Sequence, residues 1–177
     1  MDERKKIQIN GTYNRYMIKK TTYQVEKNKK RIQRHTWNFD DKYYETYEQL
    51  NLLYKRKNKD DEDVYNIIKQ QINQKLNCYE QQNIQKKIFD IEHFINFDQV
   101  MISLKECGLK CYYCTEKIVI LYDKSRESKQ WSIDRIDNNK GHNHDNYYIA
   151  CLGCNLKRRR QNDETFLFTK QLCIKKL

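Results

Sequence analysis

The 177-residue chain has no proline and only four glycines, and no Gly/Ser-rich stretch that could act as a flexible linker between domains. No run approaches the roughly 20 apolar residues of a membrane span. The opening residues, MDERKK, provide no apolar signal core. Together these absences predict an intracellular protein of the nucleus or cytoplasm, neither secreted nor held in a membrane. Apolar residues are scarce too, at 38% of the chain with a mean hydropathy of −1.09. A core that thin calls for a staple such as a bound metal. There is no internal repeat.

What the chain does have is charge: 35 Lys and Arg against 24 Asp and Glu, a formal net charge of +11. The excess is uneven, with +9 over residues 1–59, −4 over 60–103 and +6 over 104–177. Two basic ends flanking an acidic middle point to a polyanionic partner, and so to nucleic acid. Three stretches follow: a basic N-terminal region 1–59, a helical segment 60–106 and a cysteine-bearing domain 107–177.

In the first stretch, Asn10-Gly11 between Ile7/Ile9 and Tyr16/Ile18 has the chemistry of a tight hairpin turn, and Tyr23 and Val25 suit a third strand. This small sheet, followed by the basic run KNKKRIQR, reads either as a nucleic-acid-binding unit or as a basic extension. Asp41 precedes a helical stripe of Tyr43, Tyr47, Leu50 and Tyr54. In the second stretch, Val64, Ile67, Ile68, Ile72, Leu76 and Tyr79 share one helical face, and Ile84, Ile88, Ile91 and Ile95 another. The acidic cluster at 60–63 suits a helix N-terminus as a solvated capping group. Asp98 can cap a short helix that Gly108 ends. In the third stretch, Ile118–Tyr122, Trp131–Ile136 and Tyr147–Ile149 read as strands. Residues 155–161 and 163–172 read as helices, the second of these alternatively as an apolar arm over the core.

Seven cysteines is an odd number, and four of them form two C-x-x-C pairs, Cys111/Cys114 and Cys151/Cys154. In a reducing compartment that pattern favours zinc over disulfides: each knuckle offers two thiolates, and two knuckles complete a closed tetrahedral site of structural type. Cys107 lies close enough to compete. Cys78 and Cys173 read as small buried apolar residues, and Trp131 as a core residue.

Between and around the knuckles run Ser132-Ile133-Asp134-Arg135-Ile136-Asp137, Gly141, Asn146 and Cys151-x-x-Cys154-Asn155. Over about 107–160 this pattern resembles the zinc-bearing HNH (ββα-metal) endonucleases, in the D-R-I-D…G…N…C-x-x-C-N form found in phage and large DNA viruses. The resemblance implies an α+β chain carrying a ββα-metal module with a four-cysteine zinc site. It also implies metal-dependent hydrolysis of phosphodiester bonds in double-stranded DNA. Residue by residue, Asp134 binds a catalytic Mg²⁺ or Mn²⁺, Asn146 ties the hairpin loop, and Asn155 completes the cation site. Arg158 meets phosphate with help from Lys157, Arg159 and Arg160. The assigned chemistry is coherent, since one carboxylate and one amide oxygen are hard donors suited to Mg²⁺. Charge building on phosphorus and on the departing oxygen needs a cation.

One position departs from the family pattern. Where those enzymes carry His as general base, this chain has Arg135, which stays protonated near neutral pH and reads instead as a residue that orients phosphate. His142 and His144 are the nearest substitutes, on one face if their segment is extended, and Tyr147 is a further candidate. Blander readings remain beside these: Asp134–Arg135 as a salt-bridged strand pair, 157–160 as a solvated helix face or a nuclear-localisation-like run, and Asp137 with Asn138 and Asn139 as turn residues. A catalytically inactive, zinc-stabilised nucleic-acid-binding protein is the alternative function. A purely structural zinc domain is a third.

Overall fold

The computed structural model describes residues 37–172. The expected N-terminal hairpin, its third strand and Cys173 lie outside that range. The described residues form a mixed α+β structure. A 3-10 turn, Asp41–Tyr44, precedes α1 (Thr46–Tyr54), α2 (Lys59–Gln85) and α3 (Phe97–Glu106). An antiparallel hairpin of β1 (Trp131–Arg135) and β2 (Tyr147–Cys151) follows, then α4 (Leu152–Arg158) and α5 (Asp163–Gln171). Among the described residues no helix is long and apolar enough to cross a membrane.

Local chemistry accounts for the helices. Asn58 caps α2 by accepting from Asp61 N at 2.8 Å, and Asp60, Asp61 and Glu62 follow in the first turn, where negative charge meets the helix dipole. Asp61 is not solvated as expected; it is buried and accepts from Tyr43 Oη at 2.9 Å and Lys57 N at 2.8 Å. Val64, Ile68, Ile72 and Leu76 form the buried stripe of α2. The expected second helical face fails. α2 ends at Gln85, Lys87 adopts φ +58°, and Ile91 is 80% exposed while Ile95 is buried. A period that looks helical in sequence is here the coincidence of an irregular segment. Asn96, not Asp98, caps α3 through a reciprocal capping box with Gln99, and Gly108 takes the left-handed φ of +58° just past its end.

Two further expectations give way to packing. The Tyr43–Tyr54 stripe is broken at Glu45. α1 instead buries Gln49, Leu52 and Leu53 and leaves Tyr47 and Tyr54 exposed. The apolar run 118–122 is no strand and makes only a single bridge, Val119 with Gln130. The fully buried Gln49 takes the partner's place: its Oε1 accepts from Ile120 N and Leu121 N at 2.7 and 3.0 Å, and its Nε2 donates to Leu121 O at 3.0 Å. One core cluster runs from Tyr43 through Leu52, Ile68, Leu104, Ile120, Trp131 and Ile149 to Phe166. Residues of all three charge-defined stretches therefore share it.

Lys75 pins α2 to the hairpin. Its ammonium donates to Trp131 O and lies 4.7 Å from the centre of the buried Trp131 ring. Burial pushes this lysine down to about 7. Between about 7 and its ordinary value the unfolded chain binds a proton that the folded chain has shed, so folding stability rises with pH across that window. Urea midpoints measured from pH 7 to 9 are expected to climb in wild type and to climb less in Lys75→Met. Equal slopes would contradict a buried, proton-shedding Lys75.

Candidate metal centre and basic cleft

The two knuckles are brought together by the hairpin. Cys111 and Cys114 sit in the turn after α3, Cys151 ends β2, and Cys154 lies in the first turn of α4. Their four sulfurs lie within 4.8 Å of one another. A tetrahedral zinc with bonds of about 2.3 Å needs sulfurs about 3.8 Å apart, so the cluster fits after a contraction of about 1 Å at most; Cys114 and Cys151 Sγ are already at 4.0 Å. The thiol chemistry favours a cation as well. A hydrogen bond from Cys151 holds Cys111 down to about 4, the same contact pushes Cys151 up, and burial pushes Cys154 up to about 12. Four sulfurs this close cannot all lose their protons without positive charge among them. Cys107 is not in the cluster and donates to Leu104 O at 3.5 Å. Cys78 is exposed, against its expected burial, because it lies on the solvent side of α2.

The second knuckle also sets where α4 begins. Cys151 Sγ accepts from Cys154 N at 3.2 Å, capping the helix. α4 therefore starts at Leu152, three residues before the expected start, and ends at Arg158 where Arg159 turns to φ +55°. Asn155 thus sits on the helix next to the hairpin. Its Nδ2 donates to Ser132 Oγ at 3.2 Å and to Ile133 O at 3.0 Å, which fixes the amide and leaves Oδ1 as its free end.

Asp134 lies on β1 with both carboxylate oxygens engaged. Tyr113 Oη, from inside the first knuckle, donates to Oδ2 at 2.7 Å, and Arg158 Nη1 donates to Oδ1 at 3.1 Å. Burial nevertheless outweighs both partners and pushes Asp134 up. The carboxylate is thus under-compensated even with a guanidinium beside it. Arg158, 1% exposed, also donates from Nη2 to Ile136 O at 2.7 Å, while its Nε is buried without a partner. Under the hairpin it is held on Asp134 and Ile136 O rather than standing free for the phosphate contact expected from sequence. The alternative reading of Asp134 and Arg135 as a salt-bridged pair does not hold either, since Asp134 pairs with Arg158. Arg135 instead donates to Asn138 O and Lys140 O at 3.0 and 2.9 Å, bracing the loop. Asn146 braces the same loop, with Oδ1 accepting from Asp137 N at 2.8 Å and Nδ2 donating to Asp137 O and Gly141 O at 3.0 and 2.9 Å. Asp137 accepts from Asn139 N at 2.9 Å, a turn contact as read.

The two histidines part company. Asn143 between them bridges Phe94 in antiparallel fashion, with Ile95 N donating to His142 O at 3.0 Å and His144 N to His93 O at 2.9 Å. The two do not share an environment: His142 is buried, while His144 lies at the surface with its ring stacked on His93 at 5.6 Å. His144 and Tyr147 line a separate hollow near Ser103, whose Oγ lies 2.6 Å from Tyr147 Oη.

Asp134, Arg135, His142, Asn155, Arg158, Arg159 and Arg160 all border one cleft of about 910 Å³, closed on its other side by Tyr79 and Lys86 at the end of α2. Asn146 and Lys157 do not border it. Five cationic side chains (Lys86, Arg135, Arg158, Arg159 and Arg160) face three carboxylates, Asp134, Asp137 and Asp163. Arg159 and Arg160 are exposed. Burial and the repulsion of Arg135 and Arg160 push Lys86 down, which marks a rim where an anion relieves crowding. The oxygen donors present, Asp134 and Asn155 Oδ1, suit a hard divalent cation, provided Arg158 yields Asp134 Oδ1. Sequence reasoning missed Tyr113, Tyr79 and Asn83 at this site. Only the position of Tyr113 between the knuckle cysteines was a signal for any of them. No family model matches the chain, and no curated protein or solved structure shows significant similarity to it.

Proposed function

We propose that this chain is an HNH-type, divalent-metal-dependent endonuclease that hydrolyses phosphodiester bonds in double-stranded DNA, with zinc in the four-cysteine site. The observation that supports this best is the shared cleft. A knuckle-clamped hairpin and the helix after it bring an under-compensated carboxylate, a fixed amide, a neutral imidazole and exposed arginines to one basic cavity. The hairpin-then-helix order matches the ββα-metal arrangement that the motif implies. Asp134 and Asn155 would hold Mg²⁺ or Mn²⁺, which would supply neutralisation of charge at phosphorus and on the departing oxygen. Lys86, Arg159 and Arg160 bind the phosphate backbone, and Arg158 moves from Asp134 to a non-bridging oxygen.

His142 is the base because it is the imidazole that borders the cleft. Burial and its neighbours Arg135 and Lys86 hold it down to about 3, which keeps the ring neutral but weakens it as a base, so the bound phosphate anion has to raise it for proton transfer. Water loses a proton to His142 as its oxygen bonds to phosphorus, and the P–O3′ bond breaks. The O3′ leaving group takes a proton from solvent, giving a 5′-phosphate and a 3′-hydroxyl for each water consumed.

A second reading, DNA binding without cleavage, is favoured by one observation: both oxygens of Asp134 are already taken, one of them by a resident guanidinium. Supercoiled plasmid incubated with Mg²⁺ or Mn²⁺ separates the two. Nicking by wild type that falls at least about a hundredfold in Asp134→Asn supports the hydrolase. Salt-sensitive DNA binding with no nicking in either metal supports the binding protein. Nicking that persists in Asp134→Asn removes the proposed site.

A further inference from the structure

In the enzymes this motif resembles, the base follows the metal-binding aspartate on the same strand. His142 does not, and its orientation comes from another element. Asn83, near the end of α2, has no exposed surface, and its Oδ1 lies 2.7 Å from His142 Nδ1. Tyr79, one turn earlier on the same helix, stacks on the imidazole at 4.4 Å with the planes 25° apart. Two side chains spaced i and i+4 on one helix face thus clamp the ring in plane and in depth.

The amide orientation can be read from its surroundings. Gly141 is packed so closely that a Cβ there would lie 2.8 Å from Asn83 Nδ2, 2.8 Å from Ile88 O and 2.9 Å from Asn143 Oδ1. Asn83 Nδ2 and Asn143 Oδ1 are both buried without another partner, a donor and an acceptor gathered beside the same glycine. Rotating the Asn83 amide would set two acceptor oxygens there instead. The unrotated amide offers Oδ1 to His142, and an acceptor there requires a proton on Nδ1. His142 Nε2 has no partner and is not among the buried unpaired atoms, and His142 borders the cleft where Asn83 does not.

We infer that Asn83 is the positioning residue of the proposed reaction, holding His142 as its Nδ1-protonated tautomer so that the Nε2 lone pair faces the cleft. The inference rests on the reading of His142 as base. It assigns α2, outside the motif-bearing segment, a part in the site. It also explains why an amide occupies this place. The charged groups acting on His142 are Arg135 from β1 and Lys86 from the end of α2, both cationic; Tyr79 and Asn143 add no charge. An aspartate at 83 would draw a second proton onto the ring and consume the lone pair.

The test uses the full-length, zinc-loaded chain. Long-range ¹H–¹⁵N spectra of His142 in wild type are expected to show a protonated Nδ1 and a bare Nε2, unchanged from pH 5 to 8. A ring protonated at Nε2 at pH 7 would overturn the inference. Asn83→Leu is expected to lose the tautomer preference and to slow nicking about tenfold or more at unchanged DNA affinity. Asn83→Asp is expected to bring His142 titration into the measured range and to give nicking an alkaline requirement that wild type lacks between pH 5 and 8. An unaltered tautomer and rate in Asn83→Leu would also overturn the inference. Should Asn83→Leu not fold, the wild-type spectrum and the Asn83→Asp pH profile still decide. Wild type that shows the expected tautomer yet never nicks retains the positioning contact and rejects the hydrolase reading instead.

Discussion

Purified protein is expected to carry one zinc ion per chain, and removing it is expected to unfold the hairpin and α4 together. The four sulfurs belong to the turn after α3, the end of β2 and the first turn of α4, so the ion would tie together three elements otherwise joined by a few polar contacts such as Tyr113 and Arg158 on Asp134. The hairpin is only five residues on each strand, with register Trp131↔Cys151 to Arg135↔Tyr147. Two-stranded ribbons of that length are marginal alone. A seven-residue helix is too short to persist without tertiary support. Closed zinc sites in small domains contribute on the order of 10–16 kcal/mol at neutral pH, comparable to the whole stability of a typical domain. Metal analysis should give one zinc per chain. A strong chelator should collapse the near-UV signal of the buried Trp131, and Cys154→Ser should reproduce that collapse without chelator. A chelator-treated chain with native near-UV spectrum and melting temperature would show that the cysteines merely pack.

Arg158→Met is expected to destabilise the fold by about 3–5 kcal/mol, the usual consequence of leaving one partner of a buried ion pair alone. The side chains are 1% and 5% exposed, with Asp134 left only Tyr113 once the guanidinium is gone. Asp134→Leu should cost a similar amount, because Arg158 then keeps a single carbonyl partner and its buried Nε. The double variant, made in a Tyr113→Phe background so that no hydroxyl is orphaned, should recover most of the loss, since a well-packed apolar pair is close to neutral against a buried ion pair. Additive losses in a urea-unfolding cycle would mean that the two side chains do not sense each other. Mn²⁺ binding provides an independent check on the cleft, because freeing Asp134 from Arg158 should tighten it in any Arg158 variant that folds.

Local chemistry decided much of this protein before any tertiary contact formed. The C-x-x-C pairs set the knuckles, the stretch Trp131–Ile136 read as the strand that becomes β1, and the acidic cluster before Val64 marked the start of α2. Such features are legible because they depend on groups a few residues apart. The D-R-I-D…N…C-x-x-C-N pattern likewise marked Asp134, Asn146 and Asn155 as one neighbourhood, and the cleft has Asp134 and Asn155 on its walls with Asn146 bracing the loop behind. Tertiary structure alone decided the rest. Arg158 looked like part of a solvated basic run, but the hairpin's packing buries it on Asp134. His142 and His144 were indistinguishable by spacing, yet beside the paired 93–95 segment one is buried and the other exposed. Gln49, 72 residues from Leu121, replaced a strand that the apolar run 118–122 had suggested. In each case the deciding partner is distant along the chain. The free energy of burying a charge or an amide depends on which partner arrives, and no local pattern records that.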